Sequence, residues 1–315
     1  MTDPTLPRRN APEMNPARAY WHASMMAAYD ETGYLEPLGD RHWAAFKDDG
    51  PTLLVTFETL APPGAEGLPL GLHLAEPHGW SHLGVIADGP TWWRDSTVYR
   101  YFDRLTDDAF LEDFDRVVIY GAGPAGYAAC AFSVAAPGAT VLALQARATQ
   151  DPAVAGWDRR TPAARRLDFT DRYGFAPDMV EGTGRVFLVH DPLVAEDAMH
   201  AALFRHAFVT RLPCRHLGAQ VEAGLAKMGL LAPLVEAAAD GSLDAAAFAR
   251  LWRGRRRQPL YLRQLVGAAE RAGNLRRAAA VCRYGADRLG QPRFRRRLEQ
   301  YAQMDARPGP ARDGR

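Results

Sequence analysis

Arg116-Val-Val-Ile-Tyr-Gly-Ala-Gly-Pro-Ala-Gly126 is the stretch on which the fold depends. Its first five residues are a short apolar run of the kind that forms a strand buried on both faces. The glycines then force a tight turn, and the breaker-free, alanine-rich segment that follows to Val134 reads as a helix. Pro137 and Gly138 end that helix, and Thr140 to Leu144 supplies the next strand. Strand, turn, helix and strand make one βαβ unit, whose right-handed crossover sets its two strands parallel.

Working outward, the same alternation recurs. Thr52 to Phe57 (TLLVTF) and Leu83 to Ala87 read as strands before the unit, with Leu68 to Trp80 between them as strand or loop. After it, Arg185 to Val189 (RVFLV) is a strand ending at His190, Asp191 and Pro192, followed by a helix to about Phe204 and a strand over Val209 to Leu212. Helices are also predicted over Ala19 to Asp30, Ser96 to Asp103, Thr106 to Phe114 and up to about Ala238. The pattern predicts an α/β fold: a mainly parallel sheet with helices on both faces. Beyond Gly241 the chain reads as an all-helical C-terminal appendage, with Leu243 to Trp252, Tyr261 to Ala272, Leu275 to Leu289 and Phe294 to Met304 separated by Gly or Pro. The expected organisation is a flexible arm over 1–18, an α/β core over 19–240 carrying an insertion over 146–183, a helical appendage over 241–304 and a disordered tail over 305–315.

Composition narrows the function classes. The chain has 315 residues, 47% hydrophobic and 24% charged, which is globular rather than disordered or fibrous. The longest apolar runs fall far short of the roughly 20 residues a membrane span needs, and the N-terminus lacks the apolar segment of a signal peptide. A cytoplasmic protein without membrane contact is expected. Cys130, Cys214 and Cys282 share no CxxC spacing, so neither a zinc site nor a disulfide framework is suggested. Residues 241–315 carry 18 arginines against 6 acidic residues, leaving a comparable negative excess on the first 240. Lys47 and Lys227 are the only lysines, so the arginine richness is a bias of the whole chain. It does not argue for nucleic acid, although the Arg-rich appendage suits a protein partner.

The glycine turn has two readings. Gly121-Ala122-Gly123-Pro124-Ala125-Gly126 satisfies GxGxxG, which would seat the pyrophosphate of FAD or NADP at a helix N-terminus. Against this, Gln145 stands where an acidic residue would hold a ribose, with only Arg147 nearby for a phosphorylated one, and two strands precede the turn. The alternative is a nucleophile elbow, a strained strand-to-helix turn that needs tiny residues two places either side of its centre. Gly121 and Ala125 meet that need around Gly123.

The pattern YGAGPAGYAA resembles the elbow of the α/β-hydrolase family over roughly residues 50–238, with glycine where the family carries serine. The resemblance implies an acid on a later strand end and a histidine after the last strand. Asp191 and His216 stand in those places, 68 residues past Gly123 and 25 further on. Gly123 has no side chain to attack a carbonyl, so covalent acyl transfer through this position is impossible. Ser133, a turn or more along the helix, does not replace it. The expectation is a hydrolase-shaped protein of lost or altered chemistry that binds a small, anionic ligand at Gly121, Gly123, Ala125 and Gly126, with Trp92 and Trp93 beside them, although two adjacent tryptophans equally suit a place covering the core. No cofactor and no metal are expected.

The whole chain is also similar to a group of alphaproteobacterial proteins often labelled phosphoadenosine phosphosulfate reductases. The similarity rests on FLEDFDRVVIYGAG (110–123), DFTDRYGFAPDM (168–179) and DPLVAEDAMHAALF (191–204). Sulfonucleotide reductases resemble an SGGxDS loop with a C-terminal ECGxH thiol, and neither string is present. Other residues carry two meanings. Asp191 before Pro192 also reads as a helix N-cap, and His216 as a polar loop residue. His190 and His200 are too far apart for a metal pair, His73, His78 and His82 with Glu76 fit no common site, and Trp157 to Arg160 suit either a lid or a solvated loop.

Overall fold

The computed structural model of the protein describes residues 16–29, 32–60 and 67–305. Eight strands form one sheet: β1 (Gly33–Pro37), β2 (His42–Lys47), β3 (Thr52–Thr59), β4 (Ser81–Ala87), β5 (Arg116–Ala122), β6 (Thr140–Leu144), β7 (Arg185–His190) and β8 (Val209–Pro213). Their order across the sheet is β1-β2-β4-β3-β5-β6-β7-β8. The pairs β1–β2 and β2–β4 are antiparallel, and every other neighbouring pair is parallel. The mainly parallel sheet expected from the alternating pattern is therefore present.

Period-two alternation sorts the strand residues onto two faces. Leu53, Val55, Phe57, Ile119, Val141, Ala143, Val186 and Leu188 enter one buried cluster. Their neighbours Leu54, Val118, Tyr120, Leu142, Leu144, Phe187 and Val189 enter another. On the first face lie α3 (Ser96–Asp107), α4 (Pro124–Ala131) and buried residues of the insertion, among them Phe169, Tyr173 and Val180. On the second lie α8 (Val221–Lys227), α9 (Leu231–Ala239) and α10 (Ala245–Trp252). That cluster runs on without a break into α11 (Pro259–Arg271), α12 (Leu275–Leu289) and α13 (Pro292–Asp305), through Leu262, Val266, Cys282 and Phe294. A third, smaller cluster joins α1 (Pro16–Tyr29) and α2 (Leu70–Ala75) to β2 through Met25, Tyr29, Ala45 and Leu72.

Several local expectations change. The last three residues of the arm expected over 1–18 are the first turn of α1, and the rest of it lies outside the described residues, as does the tail beyond Asp305. The sequence reading contains no β1 or β2. HWAAFK is buried at five successive positions and GYLEP lies at the sheet edge, and neither contains a β-branched residue to mark it as a strand. The segment Leu68 to Trp80 is helical rather than strand, forming α2 and a 3-10 turn over Glu76–His78. The helix expected to reach Val134 ends at Ala131 and continues as a 3-10 turn. The insertion holds no strand, only α5 (Pro152–Ala155), α6 (Ala176–Met179) and a 3-10 turn. Its backbone is clasped by Arg94, which donates to the carbonyls of Asp168 (2.7 Å) and Arg172 (2.6 Å).

Candidate functional site

The glycine turn follows β5, an interior strand with β3 on one side and β6 on the other. Sterics explain its glycines. A Cβ on Gly121 would stand 2.2 Å from the Ala125 carbonyl oxygen, and one on Gly126 would stand 2.8 Å from that of Leu144. Both positions exclude every side chain unless backbone moves. Gly123 is different: its backbone has φ 60° and ψ −120°, and a Cβ there would meet nothing within 4 Å. That conformation is rare for residues with side chains, and the space in front of it is open. The Gly123 N–H donates to the Leu144 carbonyl at 2.8 Å, and its carbonyl accepts from Tyr127 N–H at 3.1 Å, so the strained turn is held at both ends.

Pro124 follows at the first position of α4. In an elbow, the N–H of the residue after the nucleophile is one oxyanion donor; proline has none. The turn thus lacks a nucleophile and one of the donors that would stabilise an acyl-transfer transition state. Ser133 is fully buried and donates to the Cys130 carbonyl at 2.7 Å. Cys130 and Cys214 are buried, and burial pushes both thiols far above their ordinary range. None of the three is exposed at the turn.

Asp191 and His216 stand at the ends of β7 and β8. The Asp191 carboxylate accepts from Leu193 N–H (2.9 Å) and, across to the loop carrying His216, from Gly218 N–H (2.7 Å). Asp191 does not cap α7 (Ala195–Leu203); that helix begins beyond a turn closed by Val194 N–H on the Asp191 carbonyl. His216 has φ 70°. Burial lowers its pKa first, nearby Asp191 opposes, and the guanidinium groups of Arg277, Arg215 and Arg271 lower it further. The ring is therefore neutral at physiological pH.

Trp92 and Trp93 are core residues, a correction to their expected place beside a ligand. Each is only 1% exposed. Trp92 packs edge-on against Tyr127 and Phe169, and the Trp93 indole N–H donates to the Val85 carbonyl at 2.9 Å. Both have positive φ, 57° and 53°. With Gln145 (φ 50°) and His216, four non-glycine residues just past the ends of β4, β6 and β8 hold this strained backbone. Such strain persists only where surrounding structure over-determines it.

Sequence reasoning missed the densest polar feature of the molecule, a buried latch between the insertion and the strand ends. Asp158 is fully buried. It accepts from Arg147 Nη1 (2.9 Å), Arg160 Nε (2.9 Å), Arg160 Nη2 (2.9 Å) and His200 Nε2 (3.0 Å). Arg160 also donates to Asp197 at 2.6 Å, whose other oxygen accepts from Gln145 Nε2 at 3.0 Å. Two guanidinium groups against two carboxylates leave the cluster neutral. Ala148 N–H donates to His200 Nδ1 at 3.2 Å, which fixes the proton of the neutral ring on Nε2. Burial lowers the His200 pKa. Hydrogen bonds from His200 and Arg160 with the charge of Arg147 outweigh burial at Asp158 and hold its carboxyl far below the usual range. Gln145, which the dinucleotide reading would have facing a ribose, is occupied at both ends, its Oε1 accepting from Val221 N–H at 2.9 Å.

The histidines near α2 do not converge on a metal site. His78 pairs with Glu236 at 3.3 Å. His82 lies between Tyr29 (2.9 Å) and Thr56 (2.9 Å), and Thr56 donates to Glu58 at 2.8 Å. Burial pushes the His82 pKa down to about 3. Two cavities lie away from Gly123. One of about 480 Å3 sits at the opposite strand ends, near Arg116, Thr140 and Arg185. One of about 400 Å3 lies among α11, α12 and α13.

No protein-family model and no curated protein sequence matches this chain. Solved structures do. Brefeldin A esterase, a bacterial homologue of human hormone sensitive lipase, is 15% identical, with a TM-score of 0.42 over 76% of this chain and 88% of that one. An esterase from Pyrobaculum calidifontis is 12% identical, with a TM-score of 0.42 over 75% and 96%. The capsule O-acetyltransferase of Neisseria meningitidis serogroup A is 8% identical, with a TM-score of 0.42 over 61% and 91%.

Proposed function

We propose that this protein is a non-hydrolytic, α/β-hydrolase-like binding protein that takes a small anionic ligand over the Gly123 turn. One observation carries the reading: Gly123 keeps the strained backbone of an elbow with open space before it, while Pro124 follows it. A missing hydroxyl abolishes the covalent route, and removing one oxyanion donor alone costs about 100- to 1000-fold in rate. Among the described residues no backbone oxygen accepts from the N–H of Ala125 or Gly126. At the N-terminus of α4, both favour a carboxylate or phosphate.

Hydride transfer is not part of the proposal, because the turn follows the fifth strand rather than opening the domain and Gln145 is engaged elsewhere. Sulfonucleotide reduction has no motif to support it.

The test pairs two variants. Gly123→Ser and Gly123→Leu suffer similar backbone strain, but only leucine fills the open space. A thermal-shift screen against small carboxylates and phosphate esters is expected to find a ligand that stabilises wild type and Gly123→Ser and leaves Gly123→Leu unshifted. A fluorophosphonate probe is expected to leave wild type unlabelled. An acylated or phosphonylated wild-type residue, or equal shifts in both variants, overturns the reading.

A further inference from the structure

We infer that the chain associates head to tail with a second copy of itself, the acidic segment 107–115 of one copy seating on the arginine-rimmed groove of the α11–α13 array of the next. The groove is the cavity of about 400 Å3. Its floor is the buried Val266, Cys282 and Phe294, and Gly285 lets the Phe294 ring lie against α12, where a Cβ would stand 2.5 Å from it. Its rim is Arg263, Arg293, Arg296 and Arg297, all exposed. Arg297 is bound to Glu270. Among the described residues no carboxylate pairs with Arg263, Arg293 or Arg296.

The complementary surface lies on the core. Asp107, Asp108, Glu112, Asp113 and Asp115 are exposed, and none forms an ion pair among the described residues. A 3-10 turn over Phe110–Asp113, entered through Ala109 at φ 54°, fixes them. Phe110 anchors that turn by packing against Phe46 and Phe114. The opposite charge of the acidic turn and the basic groove steers the encounter. Residues 306–315, with three arginines and one aspartate, and residues 1–15, with no net charge among their acidic and arginine side chains, do not offer such an occupant. Because the two surfaces differ, the contact is heterologous, and copies add end to end unless the rotation closes a ring.

The full chain is tested by sedimentation velocity at about 0.1 M and about 1 M salt, where the screening length falls from about 10 Å to about 3 Å. Mass above the monomer that grows with concentration and vanishes in high salt is expected. Arg293→Glu with Arg296→Glu places acid in the first turns of α13, and Asp107→Lys with Asp108→Lys places base at the end of α3, so both pairs suit the helix dipoles and the variants fold. Each is expected to be monomeric alone, and an equimolar mixture to form a species of at least twice the monomer mass. Wild type that stays monomeric, or association that neither salt nor either reversal moves, overturns the inference. So does a monomer whose groove binds a fluorescent poly-glutamate peptide, which would assign it to another protein's acidic segment. All of these readouts are independent of whether a ligand sits over Gly123.

Discussion

The Gly123 turn and the Asp158 latch both lie past the C-terminal ends of the strands, yet they are built on opposite principles. The turn is almost all backbone: glycine where neighbouring carbonyls leave no room for a Cβ, and glycine again where there is room in plenty. The latch is almost all side chain, a neutral cluster of guanidinium, carboxylate, imidazole and amide in which Asp158, Asp197 and His200 are buried and Arg160 reaches partly to solvent. The sterics of the turn are set by packing alone. Gly121 and Gly126 would be required by Ala125 and Leu144 whatever stood at position 123, so their presence does not report chemistry.

The largest effect is expected from Asp158→Ala. It leaves Arg147, Arg160 and His200 without their common acceptor, and loss of one partner from a buried charge cluster costs about 3–5 kcal/mol. Urea unfolding should show that loss, with Asp158→Asn milder; a change below about 1 kcal/mol would mean that water reaches the latch. Next comes pH. The pKa of His200 is lowered in the fold and that of His82 is pushed down to about 3, so the unfolded chain binds more protons below the ordinary imidazole value. Stability is therefore complete above about pH 6.5 and falls as pH drops, by up to about 1.4 kcal/mol per unit for each fully buried ring. Equal urea midpoints at neutral and mildly acidic pH would contradict this. Gly126→Ala pushes a Cβ against the Leu144 carbonyl and should cost about 1–3 kcal/mol as overpacking. The Cβ of Gly123→Ser meets nothing within 4 Å, which leaves the backbone penalty, about 1 kcal/mol at the low end for a strained residue. Calorimetry that ranks Gly123→Ser below Gly126→Ala in stability would sink the steric account of the turn. The smallest effect belongs to the exposed Arg172–Asp103 pair, where Arg172→Ala should cost less than about 1 kcal/mol.

What the sequence made legible follows from range. The strand, turn, helix and strand around Gly123 are contiguous, and their apolar runs and breakers carry the reading without help from elsewhere. β1 and β2 escaped because GYLEP and HWAAFK contain none of the β-branched residues that mark the other six strands. The latch escaped for a different reason: Arg147, Asp158, Asp197 and His200 meet from segments tens of residues apart, and nothing in Trp157 to Arg160 marks a loop that will be buried. The tryptophan pair was ambiguous in sequence because large rings serve pockets and cores alike; tight packing against Tyr127 and Phe169 decided it. Pro124 was in plain view, but its significance depends on the conformation of the glycine before it.

The Arg147 guanidinium lies over the Trp92 ring, 5.7 Å from its centre. An indole so placed is a built-in optical gauge: its emission, isolated from the other six tryptophans by difference against Trp92→Phe, reports separation of the insertion from the ring. Separation of the insertion from the core can therefore be timed by intrinsic fluorescence, with no label attached.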